Sequence, residues 1–213
     1  MEPLDDTLWF PTPTADELVA IGGDLSVERL LLAYRSGIFP WSASPITWWS
    51  PDPRAIFELD QFHIPARLAQ TLRSGRFTFT RDRAFREVIT ACAERPRDES
   101  TWIEPDFIAA YTRLHEAGHA HSVECWHDGQ LAGGIYGVST AGLFAGESMF
   151  HRVTDAGKAA LCHLAEHLKD CSHQLFDIQM LTPATEQFGA IEIPRDEYLK
   201  SLARALEANC HFD

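Results

Sequence analysis

Asp177 and Gln179 stand two residues apart in the run "LFDIQM", and in an extended strand that spacing sends both side chains to the same face. Phe176, Ile178 and Met180 take the other face. One side of this strand is therefore apolar, while the other offers a carboxylate and an amide, a pair suited to holding and orienting an amine. The competing reading is an edge strand with a solvated face. Glu147 lies inside the apolar run "GLFAGESMF"; burying an unpaired carboxylate is costly, so an acid there is either exposed or put to use. The histidines of "HEAGHAH" (His115, His119, His121) and the pair His163 and His167 invite a metal reading. Gly118 interrupts the helix that such a zinc pair would need, and no metal site is expected. No P-loop and no Gly-x-Ser-x-Gly elbow occurs, and "GGIYG" lies within a strand-like run instead of opening a helix.

These candidates need elements to position them. Residues 1–60 carry much of the proline and one clear helix, with Ser26 as N-cap, the run "VERLLLAYRS" and Gly37 as stop. That reads as a small, loop-rich N-terminal domain. Residues 61–213 are more regular: a helix near 63–74, the strand "RFTFT", helices near 83–93 and 105–118, and the strands "AHSVECW", "LAGGIYGVS" and "GLFAGESMF". A helix near 155–169, the strand "QLFDIQM", a short helical "PATEQFG" and a last helix near 195–208 follow. Short-linked strands followed by strand-helix-strand make an α+β fold, a mixed sheet flanked by helices.

Composition limits the partners. The chain has 213 residues, 45% of them hydrophobic, and a net charge of -13, which speaks against indiscriminate nucleic-acid binding. Yet from Arg67 to Arg97 there are eight arginines against three acids. A basic face on an acidic body can still hold a polyanion, although a solvated surface gives the same pattern. Five cysteines without a CxxC pair argue against a disulfide framework. No apolar run is long enough to span a membrane, and "MEPLDDTLWF" carries acids where a signal peptide needs basic residues, so a cytoplasmic protein without a membrane partner is expected.

Several stretches, in order, carry one resemblance: "LVAIGGDLSVERLLLAYRSGIFPW", "WWSPDPR", "STWI", "AYTRLHEAGHAHSVECW", "LAGGIYGV", "FAGESMF", "DIQ" and "FGAIEIPRDEYL". Together they resemble the leucyl/phenylalanyl-tRNA-protein transferase family. The resemblance implies a small N-terminal domain on a GNAT-like acyltransferase domain. It also implies transfer of Leu or Phe, with Met less favoured, from aminoacyl-tRNA to the N-terminal Arg or Lys of a protein, which marks that protein for degradation. Catalytic roles fall on Asp177, Gln179 and Glu147, and the cup for the transferred side chain on Ile135, Phe144, Met149, Leu164 and Phe176. The tryptophans that hold the tRNA's terminal adenosine fall on Trp49 and Trp102, leaving Trp41 as core. Arg76 and Arg83 are expected to meet tRNA phosphates. The chain departs from the family pattern at "HIPARLAQ", at "DAGK" and at "ATEQFGA", where Ala184 replaces a histidine.

The implied reaction is aminolysis of an activated ester, which needs positioning more than base strength, because an α-amine with a pKa of roughly 7.7–8 is already partly neutral. No metal or organic cofactor is required. In this scheme Gln179 accepts a hydrogen bond from the attacking amine and Asp177 orients its amide. Glu147 grips the cationic side chain of the acceptor. The proton's final route, through protein or through the leaving ribose, stays open. An acyl-CoA-dependent N-acyltransferase would need a glycine-rich amide loop after "GESMF", and "HRVTDAGK" holds one glycine. A non-catalytic recogniser of N-terminal Arg or of tRNA is the third reading, and retention of Asp177, Gln179 and Glu147 weighs against it.

Overall fold

Two sheets organise the chain in the computed structural model, which describes residues 3–4, 7–14, 16–94 and 103–212. The smaller holds β1 (Pro3–Leu4), β2 (Leu18–Gly22), β3 (Phe39–Ala43) and β4 (Ile46–Trp49) in the order β1-β2-β4-β3. Helix α1 (Val27–Arg35) crosses between β2 and β3. Ser26 caps it, its hydroxyl accepting from the Arg29 amide, and Gly37 follows at φ 73°, as its sequence signals require. The hairpin β3–β4 was not expected, because Pro40 and Pro45 break the pattern. Both prolines are accommodated: β3 is the edge strand, and its register slips between Pro40 and Ser42.

The larger sheet has the order β11-β5-β10-β9-β8-β7-β6. Its strands are β5 (Arg54–Phe57), β6 (Thr78–Arg81), β7 (Ala120–His127), β8 (Gln130–Thr140), β9 (Leu143–His151), β10 (Leu175–Gln179) and β11 (Ile191–Ile193). Only β9 and β10 pair in parallel, so the sheet is mixed, as expected. Helices α2 (Ala66–Arg73), α3 (Phe85–Ala93), α4 (Pro105–Glu116), α5 (Ala156–Asp170), α6 (Pro183–Glu186) and α7 (Arg195–Leu206) complete the chain. Strands β5 and β11 escaped the sequence reading, being only four and three residues long. β5 lies ahead of residue 60 and inside the larger sheet.

Each face of the large sheet buries a core. One runs without interruption from the small sheet (Val19, Trp48) through α1 (Leu30, Tyr34) and α3–α4 (Val88, Phe107, Tyr111) to Tyr136, Leu143 and Ala145. The other packs α5 (Leu161, Leu164, Leu168) on Phe57, Phe144 and Phe176, together with Phe188 and Phe212. The glycines of "GGIYG" permit this double packing. A Cβ at Gly133 would lie 2.7 Å from the backbone of Ala156 and Gly157 in α5, and one at Gly134 would lie 3.1 Å from Val88 of α3.

Candidate active site

Strands β9 and β10 pair from Leu143↔Leu175 to Ala145↔Asp177 and then part, β9 continuing along β8 and β10 along β5. The site lies where they diverge. Two irregularities aim side chains into the gap. Tyr136 faces Ser148 and Gly137 faces Gly146, which leaves Glu147 as the extra residue of a bulge. On β10 the register against β5 slips between Asp177 and Gln179, and Gln179 takes the left-handed conformation at φ 59°.

Glu147 and Gln179 meet across the gap, Gln179 Nε2 donating to Glu147 Oε1 at 3.0 Å. The Tyr111 hydroxyl donates to Glu147 Oε2 at 3.3 Å and lies 2.5 Å from the Tyr34 hydroxyl, so α1 and α4 both support the carboxylate. Burial raises the Glu147 pKa to about 7, with the nearby Asp177 adding to the rise and the tyrosine hydroxyls opposing it. Burial likewise pushes Tyr34 and Tyr111 well above the ordinary phenol range.

Asp177 is fully buried and wholly engaged. Arg54 grips it with two bonds, Nε to Oδ1 at 2.9 Å and Nη2 to Oδ2 at 2.6 Å. Tyr198 donates to Oδ2 at 2.9 Å, and the Gln179 amide donates to Oδ1 at 3.0 Å. Arg54 also donates to the Gly37 carbonyl at 3.0 Å, and its guanidinium lies between the rings of Phe39 and Tyr198. Asp177 therefore fixes the backbone turn that presents Gln179, while the Gln179 amide is oriented by Glu147. The strand is interior, so the competing reading of a solvated edge falls, and one expectation is corrected: Asp177 does not itself hold the side-chain amide.

A cavity of about 330 Å³ opens onto the pair, walled by Phe39, Pro40 and Trp41 from the small sheet and by Glu147, Gln179 and Met180 from the large one. Within the described residues the Gln179 side-chain oxygen, Oε1, accepts no hydrogen bond, which leaves it available to a donor in the cavity.

A family model described as leucyl/phenylalanyl-tRNA protein transferase matches residues 56–203, and the model of that family's N-terminal domain matches residues 23–52. A leucyl/phenylalanyl-tRNA-protein transferase from Syntrophobacter fumaroxidans is 52% identical over 215 residues, covering 98% of this chain and 92% of the relative. The chain belongs to the leucyl/phenylalanyl-tRNA-protein transferase family. A second member, from Solidesulfovibrio magneticus, is 51% identical over 93% of this chain and 83% of its own length. Among solved structures, a GCN5-related N-acetyltransferase from Kribbella flavida overlaps 76% of this chain and 59% of its own, at 10% identity and a TM-score of 0.41.

The residues expected from the transferase family's pattern fall into four groups. Asp177, Gln179 and Glu147 converge as described. Ile135, Phe144, Leu164 and Phe176 are buried in the second core with Met149 packed against it, on the opposite face of the sheet from Glu147. Ile135 faces Met149 across β8–β9, and the rings of Phe144 and Phe176 meet edge-on at 5.7 Å. Of the tryptophans, Trp48 is the core residue, its Nε1 donating to the Gly22 carbonyl at 2.9 Å. Trp41, expected as core, is partly buried against the first core and also stands on the cavity wall. Trp49 backs it edge-on at 5.6 Å, with its Nε1 buried and unpartnered among the described residues. Trp102 lies outside the described residues, as do Arg95 and Arg97.

Arg76 and Arg83 are exposed at the β6 edge, with Arg67 and Arg73 on α2 and Arg81 and Arg86 nearby, all exposed as well. The histidines have structural partners: His121 Nδ1 bonds Asp82 at 2.7 Å, and His115 Nδ1 bonds the Ala120 carbonyl at 2.7 Å. The first turn of α5, where an acyl-CoA enzyme would need open amides, has Ala156 and Gly157 buried against β8. Arg54, Tyr198, Tyr34 and Tyr111 were missed. The one signal for Arg54 was its place in "WWSPDPR".

Proposed function

We propose that this chain transfers Leu or Phe from aminoacyl-tRNA to the N-terminal Arg or Lys of an acceptor protein, working in the cytoplasm and marking the acceptor for degradation. The observation that carries the reading is the Glu147–Gln179 pair facing the cavity between the diverging strands. The acceptor's α-amine donates to the Gln179 carbonyl oxygen and attacks the ester carbon. The C–N bond forms, the bond to the ribose oxygen breaks, and the proton lost by nitrogen ends on the leaving hydroxyl. Glu147, with a pKa near neutrality, is suited to attract the cationic amine and to pass that proton. Asp177 and Arg54 act as positioning residues, holding the Gln179 turn.

The donor's side chain occupies the cup of Ile135, Phe144, Met149, Leu164 and Phe176, whose apolar lining suits Leu and Phe and whose pliable Met149 admits Met. Trp41 offers the terminal adenosine a flat face, with Trp49 bracing it; stacking of this kind is worth roughly 1–3 kcal/mol per base. The test is incubation with Leu-tRNA or Phe-tRNA and a peptide beginning with Arg. A mass gain of one Leu or Phe residue at the N-terminus is expected. Failure of the folded protein to modify the Arg peptide with either donor overturns the reading.

A further inference from the structure

After α7 the chain runs without regular secondary structure, yet Phe212 in this stretch is only 3% exposed. Its ring stacks on His121 at 4.2 Å and 18°, and on Phe144 at 5.5 Å and 26°. His121 and Phe144 stand on β7 and β9, two strands apart, which is about 9–10 Å, so the Phe212 ring fills the space between them. Two further contacts hold it there. The Phe212 carbonyl lies 2.5 Å from His167 Nε2 on α5, and the His167 ring meets the Phe212 ring edge-on at 4.7 Å. His121 is in turn held by Asp82.

We propose that Phe212 is a positioning residue for donor selection. It backs Phe144 and so sets the size of the cup that receives the transferred side chain; the inference rests on the cup assignment made above. The Phe144 ring lies across Gly137, where no Cβ would fit, meets the rings of Phe176 and His173 edge-on at 5.7 and 6.5 Å, and is covered by the stacked ring of Phe212. Close packing passes a lost ring to its neighbours, because the cavity left behind is filled only by their movement. Without Phe212, Phe144 can recede, the cup deepens, and the smaller Leu loses contacts that the larger Phe keeps.

The experiment measures kcat/KM for Leu-tRNA and Phe-tRNA at saturating acceptor in the full chain and in Phe212→Ala, Phe212→Leu and Phe144→Ala, with an unfolding midpoint for each. Phe212→Ala is expected to lower the Leu:Phe ratio about fivefold and Phe212→Leu about twofold, mainly through KM for the Leu donor. If Phe212→Ala lowers both donors equally while Phe144→Ala shifts the ratio, Phe212 is merely structural and the proposal falls, with the cup intact. If neither substitution moves the ratio, the donor side chain sits elsewhere, and the cup assignment fails along with the inference. Should Phe212→Ala prove unfolded, an unchanged ratio in folded Phe212→Leu overturns the proposal.

Discussion

At the scale of single residues, the proposed chemistry turns on a carboxylate whose burial raises its pKa toward neutrality. Glu147 ionises in the folded chain at a pKa of about 7, against an ordinary value of 4.5. The folded state therefore binds more protons than the unfolded state between these values, and stability must fall as pH rises through that window. Glu147→Gln keeps the bond to Gln179 and removes the titration. Its denaturant stability is expected to be flatter than the parent's from pH 4.5 to 7.5, with the parent's relative advantage at the acid end lost by the alkaline end. A parent and variant that change in parallel would show that Glu147 ionises normally. Asp177, Gln179 and Glu147, which the fold brings together, were legible because their patterns are local: a two-residue spacing in a strand for Asp177 and Gln179, and an acid in an apolar run for Glu147. Arg54 was not, since its partner lies 123 positions along the chain and nothing nearby marks an arginine as buried. That Trp48 is the fully buried indole while Trp41 packs against the core and also lines the cavity was not legible, because "FPW" and "TWW" look equally apolar and the hairpin register decides.

At the scale of elements, the seat of α5 on β8 and β9 fixes where Leu164 stands. The contact is backbone on backbone: a Cβ at Gly133 would meet Ala156 and Gly157 at 2.7 Å, and one at Gly157 would meet the Phe150 carbonyl oxygen at 2.6 Å. Gly133→Ala must push the first turn of the helix away from the sheet. The expected cost is about 1–3 kcal/mol of stability, as for other overpacked sites, with a loss of donor efficiency because Leu164 moves with its helix. Denaturant midpoints and kcat/KM for Phe-tRNA check both; unchanged values would mean that α5 has room to yield. The sequence placed "GGIYG" in a strand correctly, because alternation and length are local. It could not say that Gly133 and Gly134 serve helices on opposite faces, since those helices are elsewhere in the chain. For the same reason the short β5 and β11 were overlooked: each owes its existence to a neighbouring strand more than to its own pattern.

At the scale of the whole molecule, the net charge is -13, yet Arg67, Arg73, Arg76, Arg81, Arg83 and Arg86 are all exposed, and Arg76, Arg81 and Arg83 lie on or within two residues of β6, the sheet edge three strands or roughly 14 Å from β9. If this edge holds tRNA phosphates, Arg76→Glu with Arg83→Glu is expected to weaken use of full-length tRNA and to flatten its salt dependence by about one unit of slope per lost contact. A minimal aminoacyl-adenosine donor should be unaffected, and an equal loss with both donors would point to damage to the fold. The arginine count was visible in the sequence; the exposure of all six side chains from Arg67 to Arg86 was not. Nor was the continuity of the core between the two sheets, which has a consequence for traffic through the site. The cavity has one wall from each sheet, and Arg54 and Arg195 cross between the two parts, Arg54 reaching Asp177 and the Gly37 carbonyl, and Arg195 the carbonyls of Ser50 and Thr14. Swinging the sheets apart would strip the buried guanidiniums of Arg54 and Arg195 of the Gly37, Ser50 and Thr14 carbonyls, at a cost of about 1–3 kcal/mol for each donor left unpaired, before any apolar surface is counted. The walls thus behave as one rigid frame, and admission of two large substrates falls to the doorway itself, where the exposed Met180 and the half-buried Trp41 can change rotamer without asking the frame to open.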